Sequence, residues 1–181
     1  MKNIFAIVLL TFFASAFNSQ ICFAQNGSKE VRLSPKAEIM QQVGLTDVKI
    51  SYGRPGVKGR TIWGKLVPYD AVWRAGANEA TKITFSTDVV IEGKKLKKGS
   101  YSFFTIPGKK EWTIIFNKVA DQWGAFEYNE SQDALRIKVK PEKGNWQEWL
   151  AYTIGKVTDT SAIIRLEWEK LRVPFRVEVS L

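Results

Sequence analysis

Period-two alternation constrains this chain more than any other feature. Val48, Ile50 and Tyr52 alternate with Lys49 and Ser51, Ile83 and Phe85 flank Thr84, and Leu135, Ile137 and Val139 alternate with Arg136 and Lys138. The pattern returns near the C-terminus in Ile164, Leu166 and Trp168, then in Val173, Phe175, Val177, Val179 and Leu181, with Arg165, Glu167, Glu169, Arg176 and Glu178 on the opposite side. A strand turns successive side chains to opposite faces, so this spacing predicts strands with one face in a core and one in water.

The intervening segments extend the same reading. Val89–Ile91 and Tyr101–Ile106 are β-branched or aromatic runs separated by the turn chemistry of Glu92-Gly93-Lys94-Lys95 and Lys97-Lys98-Gly99, which predicts a hairpin or meander. Trp112–Phe116 is almost wholly apolar after Pro107-Gly108, as expected of a central strand buried on both faces. Pro174 lacks a donor, so its strand is expected to begin there, bulge there or lie at an edge. Helical signals are few. Thr61–Val67 suits one short turn, and Trp146–Tyr152 is read as extended. Short strands with turns every eight to twelve residues predict an all-β fold, a single antiparallel β-sandwich or jelly-roll-like domain over residues 34–181.

The first residues read as an export signal. Lys2 precedes an apolar run from Ile4 to Phe17, and Cys22-Phe23-Ala24 offers small residues for cleavage before Gln25. That run is shorter than the roughly 20 residues of a membrane-spanning helix, and no later segment approaches that length. A lipidated Cys22 is the alternative, but bulky Ile21 suits it badly. With residues 1–24 removed, a loose lead-in over 25–33 would precede the domain, and the chain would lose its only cysteine. Such a domain must be held by its core and not by disulfides. About 157 residues would bury roughly 68 to 70% of their unfolded surface, and seven tryptophans supply bulk.

The formal charge is +9, much of the excess lying in Lys94, Lys95, Lys97, Lys98, Lys109 and Lys110. Lysines at turns normally face water, and the sharper reading is attraction to an anionic polysaccharide, lipid headgroup or phosphate. Basic charge without a nucleic-acid motif, on an exported chain, argues against nucleic acid as a partner. The chain contains no histidine. Ser-His-Asp and Cys-His mechanisms are therefore excluded, as are metal sites built on imidazole. No aspartate-rich calcium loop is present, so the sequence predicts neither a metal nor a cofactor.

Candidate site residues concentrate between Arg54 and Thr81. Arg54, Arg60 and Arg74 are planar donor forks suited to carboxylate, sulfate or phosphate. Trp63 and Trp73 offer flat faces, and Asn78, Glu79 and Thr81 directional polar groups, a combination suited to a sugar or peptide platform. Two occupations are open: the segment binds a ligand, or it caps its own backbone while Glu79 pairs with Arg74 or Arg60. A second loop, Asp121–Phe126, places Trp123 beside Gly124; its aromatics either plug the end of the sandwich or add to the platform. The pair Asp70 and Glu79 would serve glycoside hydrolysis only at a separation of roughly 5 or 6.5 to 9.5 Å.

Three stretches carry a family resemblance: Gly44–Thr81 (GLTDVKISYGRPGVKGRTIWGKLVPYDAVWRAGANEAT), Lys97–Lys118 (KKGSYSFFTIPGKKEWTIIFNK) and Gln122–Pro141 (QWGAFEYNESQDALRIKVKP). They are similar to the domain of unknown function 2911 family of exported bacterial proteins. The resemblance runs from about Ser34 to Val179 and implies a secreted or periplasmic, β-rich protein. It brings no catalytic residues, and Phe126 stands where the family is associated with tyrosine. The leading expectation is a non-catalytic binding or accessory module for carbohydrate or another anionic envelope component. A carboxylate-dependent hydrolase or lyase and a structural envelope protein are the alternatives.

Overall fold

A computed structural model describes residues 31–181. The expected export signal and most of the lead-in lie outside the described residues. Val31–Leu181 forms one compact unit. Its strands are β1 (Lys36–Val43), β2 (Thr46–Gly53), β3 (Thr81–Phe85), β4 (Val89–Ile91), β5 (Lys94–Leu96), β6 (Gly99–Ile106), β7 (Trp112–Asn117), β8 (Asp133–Val139), β9 (Glu142–Gly155) and β10 (Ser161–Val179). One sheet has the order β1-β2-β3-β6-β7-β8 and the other β5-β4-β10-β9, with every strand pairing antiparallel. The protein is an all-β sandwich.

The alternation decides which residues enter. Val48, Ile50 and Tyr52 of β2, Ile83 and Phe85 of β3, and Phe103 of β6 meet Ile164, Leu166, Phe175 and Val177 of β10 in one buried cluster. Phe103 stacks on Phe175 across the sandwich, with ring centroids 5.6 Å apart. β7 lies between β6 and β8, and Ile114, Ile115 and Phe116 are all buried, as expected of a central strand. A second, smaller cluster on the outer face of the larger sheet joins Phe104 and Ile115 to Ala80, with Val72, Ala125 and Tyr128 packed against it. The segment between β7 and β8 therefore folds over that face.

Two turns show why particular residues are needed. Glu92 and Gly93 both take positive φ, 46° and 76°, in the two-residue turn between β4 and β5. Positive φ at both turn positions matches the strand twist of a tight hairpin. Pro174 takes none of its three expected positions. β10 runs through it, pairing with β9 up to Arg172 and with β4 from Val177, so the proline falls between two partner strands where no ladder donor is required. The irregularities of β10 lie upstream, around Glu169, which adopts φ 57°. Thr61–Val67 forms turns instead of a helix, with the Val67 amide donating to the Ile62 carbonyl at 2.9 Å.

Candidate functional site

The connection from β2 to β3 first attaches itself to β9. The Val57 amide donates to the Glu148 carbonyl at 2.8 Å, and the Leu150 amide to the Pro55 carbonyl at 3.0 Å. Arg54 donates through Nε to the Leu150 carbonyl at 2.9 Å, while Arg60 donates to Val57 and Gly56 carbonyls at 3.1 and 2.6 Å. A guanidinium spent on backbone carbonyls satisfies acceptors that an irregular segment would otherwise bury unpaired. These two arginines are structural caps.

Trp63 and Trp73 also turn inward. Trp63 lies 5.0 Å from Trp112 and 5.8 Å from Trp168 between ring centroids, and Trp73 stacks on Trp168 at 5.9 Å. Trp73 and Thr105 exchange backbone hydrogen bonds at 2.8 and 2.9 Å, which extends the pairing along β6 and aims the indole into the core. Thr81 is fully buried and donates its hydroxyl to the Ala75 carbonyl at 3.0 Å.

Glu79 pairs with neither Arg74 nor Arg60. Its carboxylate accepts from Arg32 Nη1 at 2.8 Å, so a residue of the lead-in is docked onto the domain. Partial burial pushes the Glu79 carboxyl upward, but its own backbone amide, Arg32 and nearby Lys36 outweigh that and hold it below its ordinary value. Arg74 is half-buried, with its Nε unpartnered among the described residues, and desolvation lowers its pKa. Asn78 adopts φ 62° and donates to the Ser34 carbonyl at 3.2 Å.

The two candidate loops meet at residues 78–80 and 122–124. The Ala80 amide donates to the Gln122 carbonyl at 2.9 Å and the Gly124 amide to the Asn78 carbonyl at 3.1 Å. This short antiparallel bridge sets Glu79 opposite Trp123. Beside it opens a cleft of about 290 Å³, lined by Ser51, Tyr52 and Gly53 of β2, Lys36 of β1, Lys82 of β3, Glu79 and Ala80 before β3, and Ala120, Asp121, Gln122, Trp123 and Glu127 after β7. Trp123 is 60% exposed and Phe126 84% exposed, so the aromatics of this loop do not plug the sandwich. The four-indole cluster fills the interior instead, and Ala125 and Tyr128 are the loop residues that pack down.

The charges around the cleft are largely matched. Lys82 pairs with Asp121 at 2.7 Å, as Arg32 does with Glu79. Gln122 Nε2 is surrounded by three acceptors for its two hydrogens, the Val119 carbonyl at 2.8 Å, Ser102 Oγ at 3.0 Å and Asn117 Oδ1 at 3.2 Å. Asp70 does not line this cleft, so the carboxylate pair weighed for glycoside hydrolysis is not assembled there. Among the described residues, no cluster of acidic side chains is disposed to hold a metal.

Of the nine candidates, Glu79 and Trp123 line the cleft, whereas Arg54, Arg60, Trp63, Trp73, Arg74, Asn78 and Thr81 do not. Sequence reasoning missed Lys36, Lys82 and Glu127. Lys82 was within reach, because alternation in β3 puts it on the face opposite Thr81 and Ile83, where the cleft forms.

Fold and cleft together define an antiparallel sandwich carrying a loop-built, aromatic-walled depression on its surface. The chain belongs to the family described as protein of unknown function (DUF2911), whose model matches residues 34–177. No curated protein and no solved structure matches it. No helix among the described residues is long and apolar enough to cross a membrane.

Proposed function

We propose that the chain is an exported, non-catalytic binding module that takes carbohydrate in the cleft between Glu79 and Trp123. The observation that carries this reading is Trp123, an exposed indole held by paired backbone at the wall of a polar depression. Leaving so large an apolar face in water is a cost that a ligand's apolar face would remove, while carboxylate, ammonium and amide groups around it supply directional contacts.

A hydrolase or lyase is less well supported. A general acid needs a carboxyl raised toward neutrality, and Glu79 is held the other way by Arg32 and Lys36. Asp70, the other carboxylate weighed for that role, is not in the cleft.

The test is a glycan and phospholipid array probed with residues 25–181 and with Trp123→Ala. Glycan binding that drops at least about tenfold in the variant, with thermal stability unchanged, is the expected result. Binding that survives the substitution would move the site elsewhere, and no binding above a charge-scrambled control would refute the module reading.

A further inference from the structure

One long strand edge of the sandwich is left open. A step beyond the pairing of Lys36 with Gly53, the Pro35 carbonyl accepts from the Arg54 amide at 2.8 Å. Hydrogen-bonded pairs alternate with non-bonded ones along an antiparallel ladder, so Ala37, Ile39, Gln41 and Val43 spend their backbone groups on β2. The amides and carbonyls of Lys36, Glu38, Met40 and Gln42 point away from the sheet. Among the described residues only the Gln42 carbonyl has a partner there, the side-chain amide of exposed Gln41 at 2.8 Å.

The other edges are blunted. β5 is three residues long with two lysines. β8 has a register shift against β7, and its Arg136 carbonyl is capped by Lys94 Nζ at 3.2 Å. The middle of β9 is covered by Pro55 and Val57. β1, by contrast, is eight residues long, unbulged and free of proline. Its two charges leave the edge open, because Glu38 is drawn back onto Lys49 of β2 at 2.9 Å and Lys36 belongs to the cleft on the outer face. An edge of this kind is a template for a further strand, and proteins that do not use one normally spoil it.

We propose that β1 pairs antiparallel with β1 of a second copy, about a two-fold axis at Ile39. In that register Lys36 meets the partner's Gln42 and Glu38 meets the partner's Met40, so every outward amide and carbonyl finds a counterpart and no like charges stand opposite. Ile39 faces the partner's Ile39 as a non-hydrogen-bonded pair, with Cα atoms about 4.5 Å apart. Ile39 already packs against the core, so the contact carries apolar surface across the join. Moving the axis to Glu38 sets two carboxylates face to face and leaves Gln42 unpaired, while moving it to Met40 leaves Lys36 unpaired. The axis stands normal to the sheet, so both outer faces, with their clefts, point to the same side of the dimer. Pairing of this kind does not depend on what the cleft binds.

Sedimentation equilibrium on residues 25–181 over about 1 to 300 µM should show the mass rising from one copy toward two. That chain has no cysteine, so single cysteines report the register. Ile39→Cys should cross-link under mild oxidation at least about tenfold faster than Gln42→Cys, because the two Ile39 positions lie within disulfide reach and the two Gln42 positions about 20 Å apart. Met40→Pro removes an outward donor and spares the ladder to β2. It should weaken the dimer at least about tenfold while the melting temperature of the dilute protein moves by less than about 3 °C. A mass of one copy up to about 300 µM would overturn the pairing. So would a dimer that survives Met40→Pro in a folded variant, or equal cross-linking of the two cysteine variants. If Met40→Pro fails to fold, the two cysteine variants decide alone.

Discussion

The Ala75 carbonyl offers a sharp test of how the long connection is held. It is buried, and two hydroxyls converge on it: Thr81 Oγ1 at 3.0 Å and the Tyr152 hydroxyl at 2.9 Å. Thr81 lies on β3 and Tyr152 on β9, so this one acceptor links the connection to both sheets. Thr81→Val keeps volume and β-branching but removes one donor, and Tyr152→Phe removes the other. Each single substitution leaves the carbonyl one partner and should cost about 1 kcal/mol, the net worth of an ordinary hydrogen bond. The double variant leaves a buried acceptor with none, which adds a desolvation penalty of about 1 to 3 kcal/mol beyond the sum. At roughly 3 °C per kcal/mol for a domain of this size, each single variant should melt about 3 °C lower and the double about 9 to 15 °C lower.

Urea unfolding followed by tryptophan fluorescence gives the four free energies of the cycle. A double variant additive to within about 0.5 kcal/mol would refute the shared-acceptor argument. So would a Thr81→Val protein of unchanged stability, which would return Thr81 to the list of binding residues.

The tryptophans should divide by location: Trp63→Ala empties part of the indole cluster and should cost about 3 to 5 kcal/mol, whereas exposed Trp123→Ala should stay within about 0.5 kcal/mol, both read by urea melts. Gly53→Ala would drive a Cβ into the Ala77 carbonyl and should cost about 3 kcal/mol or prevent folding, as circular dichroism melts would report. Gly59→Ala meets no neighbour and carries only the strain of φ 70°, about 1 to 2 kcal/mol. Glu79 has a lowered folded-state pKa, so its contribution is present above the ordinary carboxylate range and lost as pH falls through the lowered value. Glu79→Gln should therefore melt below the parent at neutral pH and converge with it in acid, and a gap that persists or widens in acid would refute that linkage.

Alternation made most of the sandwich legible, because burial of one face imposes the period on sequence and structure alike. It was weak at β1 (Lys36–Val43), an edge strand whose inward positions Ala37, Ile39 and Val43 are interrupted by Gln41 and whose Met40 faces water, so the pattern is broken. It also failed to foresee that β10 continues through Pro174, since only the layout of partner strands reveals that no donor is needed there. The site was less legible. Its arginines, tryptophans and Glu79 stand out in the sequence by their density, but local sequence does not say which acceptor a guanidinium will find. Arg54 reaches a carbonyl 96 residues away, and Glu79 a partner 47 residues away.

The division of labour between the two loops follows from their sizes. The connection from β2 to β3 is long and irregular, so most of its polar groups must be matched internally, and its arginines and Thr81 do that while its tryptophans anchor it in the core. Anchoring makes its last residues, 78–80, a fixed edge. The shorter Asp121–Phe126 loop needs only that edge, taking two backbone bonds from it and a buried amide anchor from Gln122. Its indole is thereby released from structural duty and can stand in water on rigid support, the condition under which a surface aromatic gives affinity without first being ordered by its ligand. On the proposed binding reading, weakening the anchor should thus reduce affinity through residues that do not line the cleft. Arg60→Ala, which removes two caps near the start of the connection and leaves the cleft lining untouched, should lower thermal stability and affinity together, and an affinity unchanged at reduced stability would refute the coupling.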